Sequence, residues 1–233
     1  MIYIYWKEVF MIFLFLSLVS VIYTWIILHT FNRLPYKWLC DYDAVFSAAS
    51  ENVQKLVSMR LYFFPVFLFT FLNIFFLFTS SFSPLIIFTG ISMILLLIHI
   101  SLSDIQYMII PDQHILMIIL LGFLNLNAHN IFSKLAGLTA GALPFFIILT
   151  AGIFLKKKEY IGFGDIKLMG ALGFLLGYVE IFNIYLLSGL LSGTSFIILA
   201  LLSFKEKNFK GFCLPFAPFI TLSLFFCNFK QFV

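Results

Sequence analysis

Apolar runs close to the thickness of a lipid bilayer recur along the chain, parted by short polar breaks. A helix rises ~1.5 Å per residue, so about 20 apolar residues cross a hydrocarbon core of ~30 Å. The pattern predicts an all-α protein, a polytopic transmembrane helical bundle of about eight spans. They run near 9–28, 61–79, 85–102, 115–126, 135–155, 166–178, 181–204 and 212–226. The fourth and sixth are short. A dozen residues cover roughly 18 Å, so these two must borrow length from their flanks or begin inside a cavity.

The breaks carry their own signals. The first run exceeds the usual apolar core of a signal peptide and has no small-x-small cleavage site after it, so it reads as a retained anchor. The longest polar stretch follows it, and residues 43–57 have the loose periodicity of a short surface helix. Residues 1–60 are expected to form an anchor with its loop, and residues 61–233 the membrane core. Ser83-Pro84 marks a turn. Residues 104–113 read as a re-entry loop broken by Pro111, with Asp112 placed to cap the next helix. Gly137–Gly141, Gly173–Gly177 and Gly189–Gly193 have the spacing that lets helix backbones approach in lipid.

Composition agrees: 63% of residues are hydrophobic and 10% charged, against about 25% charged in a soluble domain. The net charge of +4 comes from basic residues in short loops, which leaves no basic face for nucleic acid; membrane lipids are the expected surroundings. Threading eight spans puts Arg33, Lys37, Lys55, Arg60, Lys156, Lys157, Lys158, Lys167, Lys205, Lys207 and Lys210 on one side. Lys7, Lys134 and Lys230 fall on the other. The richer side is cytoplasmic by the positive-inside rule. Asp104 and Asp165 both then lie at the cytoplasmic boundary of the membrane. Cys40, Cys213 and Cys227 share no Cys-x-x-Cys spacing, and no His/Cys/carboxylate cluster suggests a metal.

Carboxylates at the mouths of apolar segments are costly and mark candidate sites. Asp104 closes the third run. Asp165 opens the sixth, behind Gly162-Phe163-Gly164, where the missing Cβ atoms allow a tight turn and close approach. Two acids that share one proton can hydrolyse a peptide bond. The ionised member takes a proton from water, and the protonated member gives one to the carbonyl oxygen. Singly, Asp104 also fits a helix-end residue without a role, and Asp165 fits a plain N-cap. Lys167 has two readings: lowering the pKa of Asp165, or reaching to the headgroups. His99, inside the third run, reads as a buried, hydrogen-bonded histidine.

Gly162-x-Gly164-Asp165-x-Lys167-Leu168, preceded by Asp104 and Ile110-Pro111-Asp112, resembles the bacterial type IV prepilin leader peptidases, a family of membrane aspartyl proteases. Pro215-Phe216-Ala217-Pro218-Phe219 is similar to the family's motif opening the last span, with alanine where glycine is more usual. Asn32-Arg33-Leu34-Pro35 resembles its segment after the first span in shortened form. The resemblance implies that Asp104 and Asp165 are the catalytic pair. Gly162, Gly164, Pro111, Asp112 and Lys167 then shape the site or bind substrate, with Asp112 able to meet a basic residue of the leader. It implies precursors of type IV pilins and type II secretion pseudopilins as substrates, cut after glycine at the cytoplasmic face of the bacterial inner membrane. Proteolysis needs no cofactor.

Typical members also methylate the new N-terminus with S-adenosylmethionine and carry two Cys-x-x-Cys pairs in the first cytoplasmic loop. Here that loop is short and holds Cys40 alone. Residues 1–60 therefore resemble a reduced form of that region, and S-adenosylmethionine is implied only with retained methyl transfer. Two other classes compete: a proton- or cation-coupled transporter using the same acids, and a non-catalytic pilus or secretion assembly factor. A transporter calls for repeated halves, yet Gly-Phe-Gly-Asp occurs once.

Overall fold

The computed structural model describes residues 2–39, 57–80, 82–124, 130–157, 161–203 and 214–227. Eight α-helices occupy them: α1 (Ile2–Phe31), α2 (Met59–Thr79), α3 (Pro84–Tyr107), α4 (Asp112–Leu124), α5 (Ile131–Lys156), α6 (Phe163–Leu176), α7 (Tyr178–Ser203) and α8 (Ala217–Phe226). Five, namely α1, α2, α3, α5 and α7, are long and apolar enough to cross a membrane. The helical membrane bundle expected from the apolar pattern is observed. The surface helix expected over residues 43–57 falls almost wholly outside the described residues, as do Cys40 and Cys213.

Several boundaries differ from expectation for local reasons. Helix α3 continues past residue 102 to Tyr107, so Asp104 is helical and the loop shrinks to residues 108–111. Pro111 rather than Asp112 precedes α4, and its carbonyl accepts from the His114 and Ile115 N–H groups. Helix α8 begins only at Ala217, because residues 214–216 are non-helical and proline stands in its first turn. Helix α6 stops at Gly177, whose φ of 95° is open to glycine and strained for other residues. Its N–H closes on the Gly173 carbonyl, and α7 starts at the next residue.

The chain forms two compact units, residues 1–99 and 100–233. Among the described residues of the first, the buried polar side chains are hydroxyls, an amide and an imidazole. Thr24 and Thr70 hydroxyls meet at 2.8 Å between α1 and α2, and the Tyr23 hydroxyl donates to the Ile91 carbonyl. His99 is buried, with Nε2 3.0 Å from the Ile27 carbonyl and 3.2 Å from the Thr30 hydroxyl, as expected of a structural histidine. Asn32 clasps the main chain of Val57 through both ends of its amide, which closes the loop after α1. Phe63, Phe67, Phe71 and Phe75 recur every four residues on α2 and stack in sequence, so the phenylalanine richness of this run becomes one ladder along a helix.

The second unit is built on α5 and α6. A Cβ at Gly137 would overlap the Gly173 carbonyl, and one at Gly141 the Met169 carbonyl, so these helices touch backbone to backbone. Helix α6 is buried at Ile166 and from Leu168 to Leu176. Such burial all round is what a core helix of a bundle requires. Gly122 of α4 makes room for the Phe174 ring. Gly189 and Gly193 on α7 have the same spacing but nothing within 4 Å of a Cβ, so they notch no described neighbour.

Candidate active site

Asp104 lies one turn from the end of α3 and is 6% exposed. Its carboxylate Oδ2 accepts the Ala217 N–H at 2.8 Å, and the Phe216 N–H also bonds to it. These donors belong to the first turn and N-cap of α8, where N–H groups lack helical partners and the helix dipole favours negative charge. Ser101, one turn earlier on α3, bonds through its hydroxyl to Thr221 at 2.8 Å, and Thr221 also donates to the Ala217 carbonyl. That pair keeps the start of α8 against Asp104. Ser103 donates to the Ile109 carbonyl at 2.7 Å and ties the end of α3 to the loop. Met108 ends the helix in the left-handed region at φ 55°, a conformation that costs a non-glycine residue about 1 kcal/mol or more.

Asp165 is the third residue of α6, behind the N-cap Gly162. Its N–H bonds to the Gly162 carbonyl, and its carboxyl draws a hydrogen bond from the Gly162 backbone in return. This is the reciprocal half of a capping box, formed by a residue three places into the helix. Asp165 stands outside the five membrane-length helices. Burial first and the charge of Asp104 second push its carboxyl up to about 7, and the Gly162 bond only partly opposes them. The two acids, 61 positions apart in sequence, thus lie near enough for the charge of Asp104 to act on Asp165.

The surrounding residues divide. Gly164 is required for space: a Cβ there would stand 3.1 Å from the Ile110 Cβ, so its absence lets the loop before α4 lie on α6. Gly162 has φ −69°, open to any residue, so the tight turn expected of it is an ordinary helix start. Pro111 is buried at the base of the loop. Lys167 pairs with Asp112 rather than Asp165. It bonds both oxygens of Asp112 at 2.8 and 3.0 Å and lies 5.0 Å from the Phe163 ring centroid. Asp112 is thus engaged across to α6, and the pair clamps the loop from its far side. The sequence did not single out Ser101, Ser103, Thr221 or the Ala217 N–H. The prolines flanking Phe216-Ala217 were the available clue, since they mark a helix N-terminus that needs an anion.

Residues 91–201 match the type IV leader peptidase family. The matched stretch takes in Asp104, Asp112, Asp165 and Lys167 and stops before α8. Curated prepilin leader peptidase/N-methyltransferases are similar to the chain: 30% identical over 131 residues in Aeromonas hydrophila, covering 54% of this chain and 44% of that protein. The protein of that name in Pectobacterium carotovorum subsp. carotovorum is 32% identical over 98 residues, covering 40% and 35%. That in Stutzerimonas stutzeri is 27% identical over 132 residues, covering 54% and 44%. The chain therefore spans less than half the length of these relatives. No solved structure matches it. The leader peptidase resemblance read from the two aspartate motifs is supported by both comparisons. A four-thiolate metal site of the kind typical members carry does not fit a chain with 3 cysteines.

Proposed function

We propose that the protein is a membrane aspartyl endopeptidase that removes the short basic leader of type IV prepilins or pseudopilins. Cleavage falls after the leader's glycine, at the cytoplasmic face of the inner membrane. The observation that carries this reading is the electrostatic coupling of Asp104 and Asp165, held at the ends of two separate helices. Burial first and the charge of Asp104 second raise Asp165, so Asp165 keeps the shared proton and Asp104 serves as the carboxylate. The amides at the start of α8 favour the same assignment.

In the reaction, the Asp104 carboxylate takes a proton from a water molecule whose oxygen adds to the scissile carbonyl carbon. Asp165 gives its proton to the carbonyl oxygen. The tetrahedral intermediate then collapses: the C–N bond breaks, the proton taken by Asp104 passes to the leaving amine, and Asp165 takes back a proton from a hydroxyl of the intermediate as the carbonyl re-forms. The substrate's apolar helix lies among the spans while its basic leader stays in water. Orientation follows from the excess of basic residues on the cytoplasmic side of the threaded spans. S-adenosylmethionine would supply a methyl group to the new N-terminus where methyl transfer is retained, and Cys40 alone does not argue for it.

The test is co-expression with a prepilin and mass spectrometry of the pilin N-terminus. The wild-type chain is expected to yield the trimmed N-terminus. Asp104→Asn and Asp165→Asn are each expected to leave the precursor intact at unchanged membrane level. Normal trimming by either variant overturns the assignment.

A further inference from the structure

Lys134 is one turn into α5 and fully buried in the second unit, although the charge pattern placed it among outer loop residues. Its Nζ donates to the Leu175 carbonyl at 3.4 Å and lies 5.8 Å from the centroid of the Phe174 ring. Leu175 is in the last turn of α6, where carbonyls lack helical donors and the dipole is negative. Removing an ammonium from water costs several kcal/mol. A neutral residue would fill the space without that cost, so the charge calls for a role.

That role follows from the two ends of α6. Asp165 is near one end and Leu175 at the other, about 15 Å along the axis at ~1.5 Å per residue. A packed helix moves as a rod, so a slip at Leu175 is passed to Asp165 nearly whole. Asp104 is fixed separately, by α3 and the start of α8. The glycine contacts bring the α5 and α6 backbones together, the Lys167–Asp112 pair holds the first turns of α6, and Lys134 is a side chain of α5 that holds its last turn.

We propose that Lys134 is a positioning residue, a latch on the C-terminal end of α6 that sets the axial register bringing Asp165 to Asp104. Its catalytic consequence rests on the peptidase reading; the latch itself does not. One measurement therefore reads register without activity. In full-length protein with Cys40, Cys213 and Cys227 replaced by serine, Ala142→Cys and Gly170→Cys are introduced together. A Cβ at Gly170 would stand 3.4 Å from the Ala142 Cβ, near the separation a disulfide spans.

Lys134→Met is expected to slow oxidative cross-linking of this pair in membranes, and Lys134→Arg to restore it. In the prepilin assay, Lys134→Met is expected to lower kcat by about ten- to a hundredfold at unchanged KM, as a displaced catalytic group does, with recovery in Lys134→Arg. If Lys134→Met does not accumulate, Lys134→Leu, which likewise has no donor for Leu175, takes its place in both measurements. Native cross-linking and native kcat in the neutral variant, or no recovery with arginine, overturn the latch. Continued cleavage by Asp104→Asn or Asp165→Asn instead overturns the peptidase reading, and the cross-linking rates still decide the latch.

Discussion

The two compact units handle buried polarity in opposite ways. Among the described residues of 1–99 the buried polar side chains are Ser20, Thr24, Thr70, Asn73, Thr89 and His99, none of them a formal charge. Residues 100–233 bury Asp104 and Lys134 and half-bury Asp165, Asp112 and Lys167. Hydroxyls and amides in an apolar interior bond to each other or to a helix carbonyl and serve as glue at small net gain. Charges there cost far more and persist where each has a particular partner: Asp104 the start of α8, Lys134 the end of α6, Lys167 Asp112. The difference teaches that the described part of the first unit buries neutral polar groups alone, whereas the second adds to such pairs, Ser101–Thr221 among them, charges set at particular partners.

The comparison breaks most readily at the acids. Asp104→Asn or Asp165→Asn keeps shape and hydrogen-bonding capacity but removes the proton exchange, and prepilin cleavage should fall by roughly 10²–10⁴-fold. A neutral substitute that works as well in the second unit as neutral groups do in the first would erase the distinction.

The pH dependence comes next. Asp165 must hold a proton, and its carboxyl is pushed up to about 7, so kcat should be lost as pH rises through that value. Above it the loss should approach about tenfold per pH unit, as for one essential acid. A rate that stays flat from neutral to alkaline pH would assign the proton elsewhere.

Packing gives a smaller effect. Gly173→Ala drives a methyl into the Gly137 carbonyl and should cost about 1–3 kcal/mol by thermal unfolding in detergent, as overpacking does. Gly189→Ala, with open space around it, should stay within about 0.5 kcal/mol. Equal effects at the two glycines would mean that the close approach of α5 and α6 carries no stability. The smallest change belongs to the first unit: Thr24→Val removes the bond to Thr70 and should cost about 0.6 kcal/mol in the same measurement, with cleavage unaltered.

Much of the helical bundle was legible, because an apolar run of membrane length has few alternatives to a helix once its backbone must satisfy itself. The boundaries were less so. Residues 104–107 contain nothing that ends a helix, and only the left-handed turn at Met108 shows where α3 stops. The three glycine pairs were alike in sequence, yet Gly137 and Gly173 meet each other while Gly189 and Gly193 meet nothing within 4 Å. Spacing states that a helix has a notch and is silent on what fills it.

By itself the sequence determined the apolar segments, their lengths and the two costly acids, since these follow from the transfer of each residue type out of water. Tertiary structure decided the partners. It gave Asp104 to the amides of α8, Lys167 to Asp112 rather than Asp165, and Lys134 to the end of α6. Hydrogen bonds and charge pairs act over a few ångströms, and only the packed helices bring positions so distant in the chain within that reach.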